Sequence, residues 1–470
     1  MTLIPLLLLA NQVAHPTTID ATATIDSAKP MSTFQRDAVG IGVAVWDEHM
    51  LDPEIPKIVK DAGFQVIRYP GGSYADIYQW KTHRPTKGVD ANVQTGKDFD
   101  SFMAMAKAAG TTPLITVNYG SNPEGTGGAD PAYAAEWVRH ANKAKKYGVK
   151  YWEIGNEVYG NGFYNGQGWE YDLHAPDSKK SADRLKNPKL GPVEYGTNVN
   201  AFVRAMKAED PTIKVGAILC TPGGWPDGVD PDWNSNVLKI CGQNIDFVVI
   251  HWYGEGKSPA EVLGSLKQVP ILLEKLKKTI ATYCGDHAKN VQIWMTEGDS
   301  SSIVMRHPSA LFAADHFATW LANGAAHVNW WNLHNGLSVS RDGTFDDQGI
   351  LSSGHRNRGI AQPPANTPFP AYFGIQAFSK FAKPGDTFLS ARSDHPSLVV
   401  HAVRSPKGGV SLLLINRDPD HTFSVSIEGV QVRDGVRWSF GPGSGSLRRE
   451  AFREGEKVPV PGYSLAVLKL

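Results

Sequence analysis

The chain has 470 residues, and Lys plus Arg and Asp plus Glu each total 47, so the formal net charge is zero. That balance leaves no basic field to hold nucleic acid or an anionic membrane surface, and the length calls for more than one small domain. Three cysteines, Cys220, Cys241 and Cys284, have no metal-ligand spacing and leave one over, which argues against both a disulfide framework and a structural zinc site.

The opening MTLIPLLLLANQVAH carries an apolar stretch with no Lys or Arg before it, a slender match to a signal peptide. Beyond it no stretch reaches the ~18 to 20 apolar residues of a membrane span. TTIDATATIDS, from Thr17, alternates as a strand does and has no partner within a barrel. It is expected to cross over and pair with the end of the chain. Eight short Val/Ile-rich runs follow, separated by amphipathic stretches. They are VGIGVAVW from Val39, QVIRYP from Gln65, PLITVNYG from Pro113, YWEIGNE from Tyr151, IKVGAILC from Ile213, IDFVVIHWY from Ile245, VQIWMTEG from Val291 and HVNWWNLHNG from His327. Eight is the number a (β/α)8 TIM barrel needs, and continuous apolar runs suit strands buried on both faces. DPEIPKIVKDAG, FDSFMAMAKAAG and PAYAAEWVRHANKAKKYG read as helices that each stop at a glycine. The absence of GxGxxG and of a phosphate-binding loop argues against a doubly wound sheet.

After the helix-like FPAYFGIQAFSKF the texture changes to short alternating strands, SLVVHAVRS, GVSLLLINR, FSVSIEGV and SLAVLKL, broken by Gly, Pro and Asp. That pattern predicts an accessory β-sandwich. The expected division is therefore an N-terminal strand at 17–34, a catalytic barrel at 35–383 and a C-terminal sandwich at 384–470. Two long connections, 158–190 and 337–369, leave the C-terminal face of the barrel and are expected to wall a cleft.

Chemistry concentrates at the ends of the apolar runs. Glu157 follows Gly155 and Asn156 at the end of the fourth, and Glu297 ends the seventh. Two carboxyl groups on separate strand ends can meet the demands of glycosidic cleavage with retention, one as acid and base and the other as nucleophile. His251 and Tyr253 share one face of the sixth run, where a tyrosine hydroxyl could orient a carboxylate. Arg68 ends the second run and could act on the nucleophile through a charge-assisted hydrogen bond. Asn118, Trp330 and His334 occupy strand ends at the same mouth, and of the adjacent Trp330 and Trp331 one must face outward. With 13 Trp and 15 Tyr the chain is rich in flat rings, which pack in cores and also stack on sugar faces. No HExxH cluster or GxSxG elbow is present, so neither a metal nor another cofactor is expected.

Together IRYPGG, the Asn156–Glu157 pair and Glu297 resemble the clan A retaining glycoside hydrolases, and most closely the family 51 α-L-arabinofuranosidases. The resemblance implies Glu157 as acid/base, Glu297 as nucleophile, Asn156 as a contact to the sugar 2-hydroxyl, Tyr253 as the nucleophile's hydrogen-bonding neighbour and Arg68 as a site residue. It also implies an oligo- or polysaccharide substrate, secretion or a periplasmic location, and a homo-oligomer. Two departures stand out: Ser73 follows the paired glycines where that family usually has Asn, and GNGFYNGQGWEYDLH after Glu157 matches no pattern of the family. Endo-acting glucanases and xylanases of the same clan are the alternative, and a non-catalytic carbohydrate-binding protein on the same scaffold is a third reading that the presence of both glutamates argues against.

Overall fold

The computed structural model describes residues 17–160, 170–174, 191–222, 233–339 and 345–470. The opening apolar stretch and most of the 158–190 connection lie outside the described residues. Eight parallel strands close into a barrel: Val39–Gly42, Val66–Tyr69, Thr112–Val117, Tyr151–Ile154, Lys214–Ile218, Phe247–His251, Gln292–Glu297 and His327–Trp330. Each of the eight apolar runs supplies one of them, in chain order. Their Val, Ile and Leu side chains are buried because the barrel interior takes one face and the helical layer the other.

The helices form where the sequence offers both an apolar stripe and a stop signal. Ile55–Ala62 ends at Gly63 and Phe99–Ala109 at Gly110, both glycines in the left-handed region, where a side chain would be strained. Asp98 caps the second of these, accepting from the Ser101 N–H at 2.8 Å. The third helix departs from expectation. It runs regularly over Pro131–Val138 and then widens into a π turn at Arg139–Ala144, before the chain reaches Gly148.

From Thr387 onward eight strands join Thr18–Thr33 in one nine-stranded sheet that curls into the accessory sandwich. The N-terminal strand lies between two of them, antiparallel to Thr387–Ser393 and parallel to Thr422–Glu428. Its alternation explains the placement: Ala21, Ala23 and Ile25 turn inward onto a core with Leu412, Leu414, Phe423, Val425 and Leu468. Four strands beyond the four read from sequence complete the sheet, Thr387–Ser393, Gly435–Phe440, Arg448–Phe452 and Val458–Val460.

Barrel and sandwich are tied by a charge cluster. Asp315, buried on the barrel helix Pro308–Ala322, accepts from His401 Nε2 at 2.7 Å and from Arg417, both from the sandwich. Burial alone would raise the Asp315 carboxyl, but Arg417 and His401 hold it well below the usual carboxylate range. Asp315→Ala should therefore cost about 3 kcal/mol, since it leaves a partly buried cation unpaired. The thermal-unfolding midpoint reads this, and an unmoved midpoint would show that the cluster contributes nothing. Because the folded carboxyl is depressed, its contribution is present above the unfolded pKa and fades as pH falls toward the folded one.

Candidate active site

The barrel mouth is organised around one buried guanidinium. Arg68, at the end of the second strand, is 1% exposed and spends all three nitrogens on acceptors from other strands. Its Nε lies 2.5 Å from Glu153 Oε1, its Nη1 2.9 Å from Glu297 Oε2 and its Nη2 2.8 Å from Asn156 Oδ1. Burial alone would depress the guanidinium, but the Glu153 and Glu297 carboxylates more than reverse this, so the cation is secure. Glu153 is held in turn by the hydroxyls of Thr116 and Thr296, both at 3.1 Å. The second, third, fourth and seventh strands thereby meet in one hydrogen-bonded layer.

Above that layer stand the two glutamates. Gly155 takes a φ of 74°, and a Cβ there would sit 2.6 Å from Val158 and 2.9 Å from Tyr119. Only glycine makes this turn, which ends the fourth strand and carries Asn156 and Glu157 into the mouth. Glu297 Oε1 accepts the Tyr253 hydroxyl at 2.6 Å while its Oε2 accepts Arg68. Both oxygens are thus fixed as acceptors, the form in which a carboxylate attacks. His251 stands between the glutamates, with Nδ1 2.8 Å from Glu157 Oε1 and 3.7 Å from Glu297 Oε2. Burial pushes the ring down to about 4, so it is neutral at pH 7 and offers one N–H.

Glu157, His251 and Glu297 each offer one ligand atom within 4.8 Å of the other two. That spacing would admit a metal ion, but the Arg68 cation already sits 2.9 Å from Glu297 and opposes a second positive charge. The same spacing serves two carboxyl groups that act on opposite sides of one bond. Retaining glycosidases place theirs about 5 to 5.5 Å apart and inverting ones about 6.5 to 9.5 Å.

Behind Asn156 lies a second buried carboxyl pair. Asp76 accepts three backbone N–H groups, those of Tyr119 at 3.0 Å, Gly120 at 3.2 Å and Asn156 at 3.0 Å. Glu170 accepts from Ser73 Oγ at 2.7 Å and Asn156 Nδ2 at 2.8 Å through Oε1, while no donor among the described residues reaches Oε2. Burial, then the charges of Asp76 and Glu157, raise Glu170 well above the usual range, and burial pushes Asp76 up to about 6. Asp76 has the backbone donors that favour charge, so Glu170 keeps the proton. A neutral Glu170 thereby ties the loop after Glu157 to Asn156 and to the second-strand loop.

The sequence-derived candidates divide into two groups. Arg68, Asn156, Glu157, His251, Tyr253 and Glu297 come together as described. Asn118 is turned away, donating to Tyr78 O at 3.2 Å and accepting the Ser121 N–H at 2.9 Å, contacts that shape its own loop. His334 is buried between Asp47 at 2.9 Å and Asn366 at 2.9 Å. Trp330 requires correction as a substrate contact. It faces outward and packs on Phe312 and His316 of the helical layer, because its neighbour takes the inner side. Trp331 is that neighbour, and a Cβ on Gly72 would lie 2.7 Å from its ring and 3.4 Å from Glu297 Oε2.

Sequence reasoning passed over Glu153, Asp76 and Glu170. Glu153 did carry a signal, a charge inside an otherwise apolar strand, which a barrel tolerates only when it is paired. Asp76 and Glu170 sit in loop sequence that marks neither as buried.

No protein-family model matches the chain. The chain is 27% identical over 215 residues to a probable α-L-arabinofuranosidase C of Aspergillus clavatus, covering 42% of this chain and 36% of that protein. The match thus spans about a third of its relative's length. Among solved structures, an α-L-arabinofuranosidase from Thermotoga maritima in complex with arabinose superposes with a TM-score of 0.71 at 17% identity, over 96% of this chain and all of that one. The fold is one that solved arabinofuranosidases share. A bifunctional glucanase-xylanase from a metagenome library has it too, with a TM-score of 0.67 at 14% identity, over 96% of this chain and 99% of that one. Barrel and curled sheet together therefore make up an architecture found in glycosidases of differing specificity.

The Asp76–Glu170 pair has a measurable consequence. Carboxyls raised on folding stabilise the protein below their unfolded pKa and lose that contribution as pH rises through the folded value. Stability should thus decline as pH climbs from about 4 through 6 and above, and Glu170→Gln, which keeps the hydrogen bonds but cannot ionise, should flatten the decline. Unfolding midpoints taken across that range test this. Curves of equal slope for parent and variant would rule out a proton held by Glu170.

Proposed function

We propose that this protein is a retaining glycoside hydrolase acting on plant cell-wall polysaccharide, with α-L-arabinofuranosyl residues as its first candidate substrate. The observation that carries the reading is the placement of Glu157 and Glu297, on the fourth and seventh strand ends, with one oxygen of each within 4.8 Å of the other's. In the first step a Glu297 oxygen bonds to the anomeric carbon as the bond to the leaving oxygen breaks, and Glu157 gives its proton to that oxygen. In the second, water attacks the same carbon, Glu157 takes the water's proton, and the bond to Glu297 breaks. Arg68 and Tyr253 hold the nucleophile in line, and the neutral His251 orients Glu157 without adding a charge. Asn156, tethered by Arg68, Asp76 and Glu170, is placed to bind the sugar 2-hydroxyl.

The arabinofuranoside preference draws on the 27% identical fungal relative and on the fold. A second reading, an endo-acting β-glycanase of the same clan, is favoured by the room beside the nucleophile and by the metagenomic glucanase-xylanase with the same fold. We further propose a secreted or periplasmic location, where a polymeric substrate of this kind would be met.

Turnover of 4-nitrophenyl α-L-arabinofuranoside, measured beside soluble xylan, arabinan and β-glucan, separates the two. Nitrophenol release supports the first reading, and reducing ends from a polysaccharide without it support the second. Glu297→Ala should abolish either activity. Glu157→Ala should keep turnover of substrates with good leaving groups and regain rate with azide; loss that azide cannot rescue would reassign the acid. Tyr253→Phe should lower kcat by about 10²-fold, by analogy with removing one preorganised donor.

A further inference from the structure

Resting on the glycosidase reading, we propose that a cavity beside the nucleophile is a second sugar-binding subsite, on the retained side of the scissile bond, so that the reacting sugar carries a further sugar. The cavity holds about 400 Å3, within the range of small-ligand sites. It is lined by Trp46, Tyr74, Asn92, Gln94, Asn335 and His355, among others. These come from the loops after the first, second and eighth strands, three neighbours in the closed barrel. Glu157 stands on the fourth strand, across the barrel from the eighth. The proton reaches the leaving oxygen from the Glu157 side, so whatever remains bonded to Glu297 extends toward the cavity.

The paired glycines and Trp331 lie between the cavity wall and Glu297. Gly72 brings its backbone against both Trp331 and Glu297 Oε2, and Trp331 Nε1 donates to Asn335 Oδ1, on the cavity wall, at 3.0 Å. Gly71, at a φ of 128°, leaves room for Ala44 and Trp46, whose Nε1 would lie 3.8 Å from a Cβ there. A larger residue at either glycine would intrude between the two compartments.

The lining suits a sugar ring and little else. Trp46 and Tyr74 are half-buried and meet edge to face, with centroids 6.4 Å apart, leaving apolar surface for the C–H face of a pyranose or furanose. Amide groups of Asn92, Gln94 and Asn335 offer both donors and acceptors, as hydroxyl recognition needs. Beneath them His334 pins Asp47, another wall residue, at 2.9 Å, so the floor is rigid. Among the described residues no Lys or Arg lines the cavity, and its His355 is paired with Glu48 at 2.9 Å, which disfavours an anionic ligand.

The test compares 4-nitrophenyl glycosides of arabinofuranose, xylose and glucose with those of their disaccharides. A disaccharide glycoside whose aryl group leaves places its second ring in the cavity. It should exceed its monosaccharide counterpart in kcat/KM by about tenfold, the scale of one ring stacking on an aromatic side chain. Trp46→Ala should erase that advantage, and so should Asn92→Trp, which fills the cavity from an exposed position and spares the packing. Equal rates for the mono- and disaccharide series, or an advantage that survives both variants, would overturn the subsite and leave the glycosidase reading standing. If no glycoside is cleaved, that reading falls. The subsite is then decided by titrating Glu297→Ala protein with xylotriose, cellotriose and arabinotriose, following tryptophan fluorescence. Binding weakened about tenfold by a further Trp46→Ala change supports it, and unchanged or absent binding overturns it.

Discussion

Everything at the barrel mouth depends on burying one positive charge and satisfying it completely. A guanidinium out of water is costly unless it is paired, and each of the three Arg68 nitrogens finds an acceptor, in Glu153, Asn156 and Glu297. The constraint runs in both directions. Removing any of the three would leave an unmet donor in a dry site, and removing Arg68 would leave two buried carboxylates facing each other. The layer therefore sets where Asn156 and Glu297 stand relative to one another, and the fourth and seventh strands are locked in register at the level where chemistry would occur.

Three carboxyls in or beside this layer, Glu297, Glu157 and Glu170, have different environments. Glu297 has two donors and no competing role. Glu157 faces a neutral imidazole. Glu170, with no donor on one oxygen among the described residues and crowded by Asp76 and Glu157, is pushed well above the usual carboxylate range. Carboxyls of one residue type are thereby given different proton affinities by environment alone. The arrangement also gives the loop after Glu157 a fastening. Glu170 reaches Ser73 and Asn156 together, so the serine after the paired glycines is occupied with holding a carboxyl in place.

The barrel also separates stability from specificity. Its outer layer is fixed by apolar packing and by Asp315, which anchors the sandwich through His401 and Arg417. The loops after the first, second and eighth strands take no part in that anchoring and shape the ground on one side of Glu297. Sharing of this architecture by an arabinofuranosidase and a glucanase-xylanase fits such a division, since loops can change while the strands persist.

Much of this was legible in the chain itself. Eight apolar runs of strand length, glycine-terminated helices between them and an alternating tail each follow from local periodicity, so the barrel and the curled sheet could be read directly. Glu157, Glu297, Arg68, His251 and Tyr253 could be nominated because strand ends at the C-terminal face of a barrel converge by topology. Contact partners were not legible. Trp330 and Trp331 are adjacent, and only the closing of the strand against the helix Pro308–Ala322 decides which ring faces out. Glu153, Asp76 and Glu170 come from one strand and two loops that no periodicity relates. Whether a carboxyl is charged depends on donors that arrive from elsewhere in the chain. Local sequence determines which elements form and which faces they bury; the tertiary structure alone decides which charges meet, because hydrogen bonding acts over about 3 Å while Arg68 and its acceptor Glu297 lie 229 positions apart.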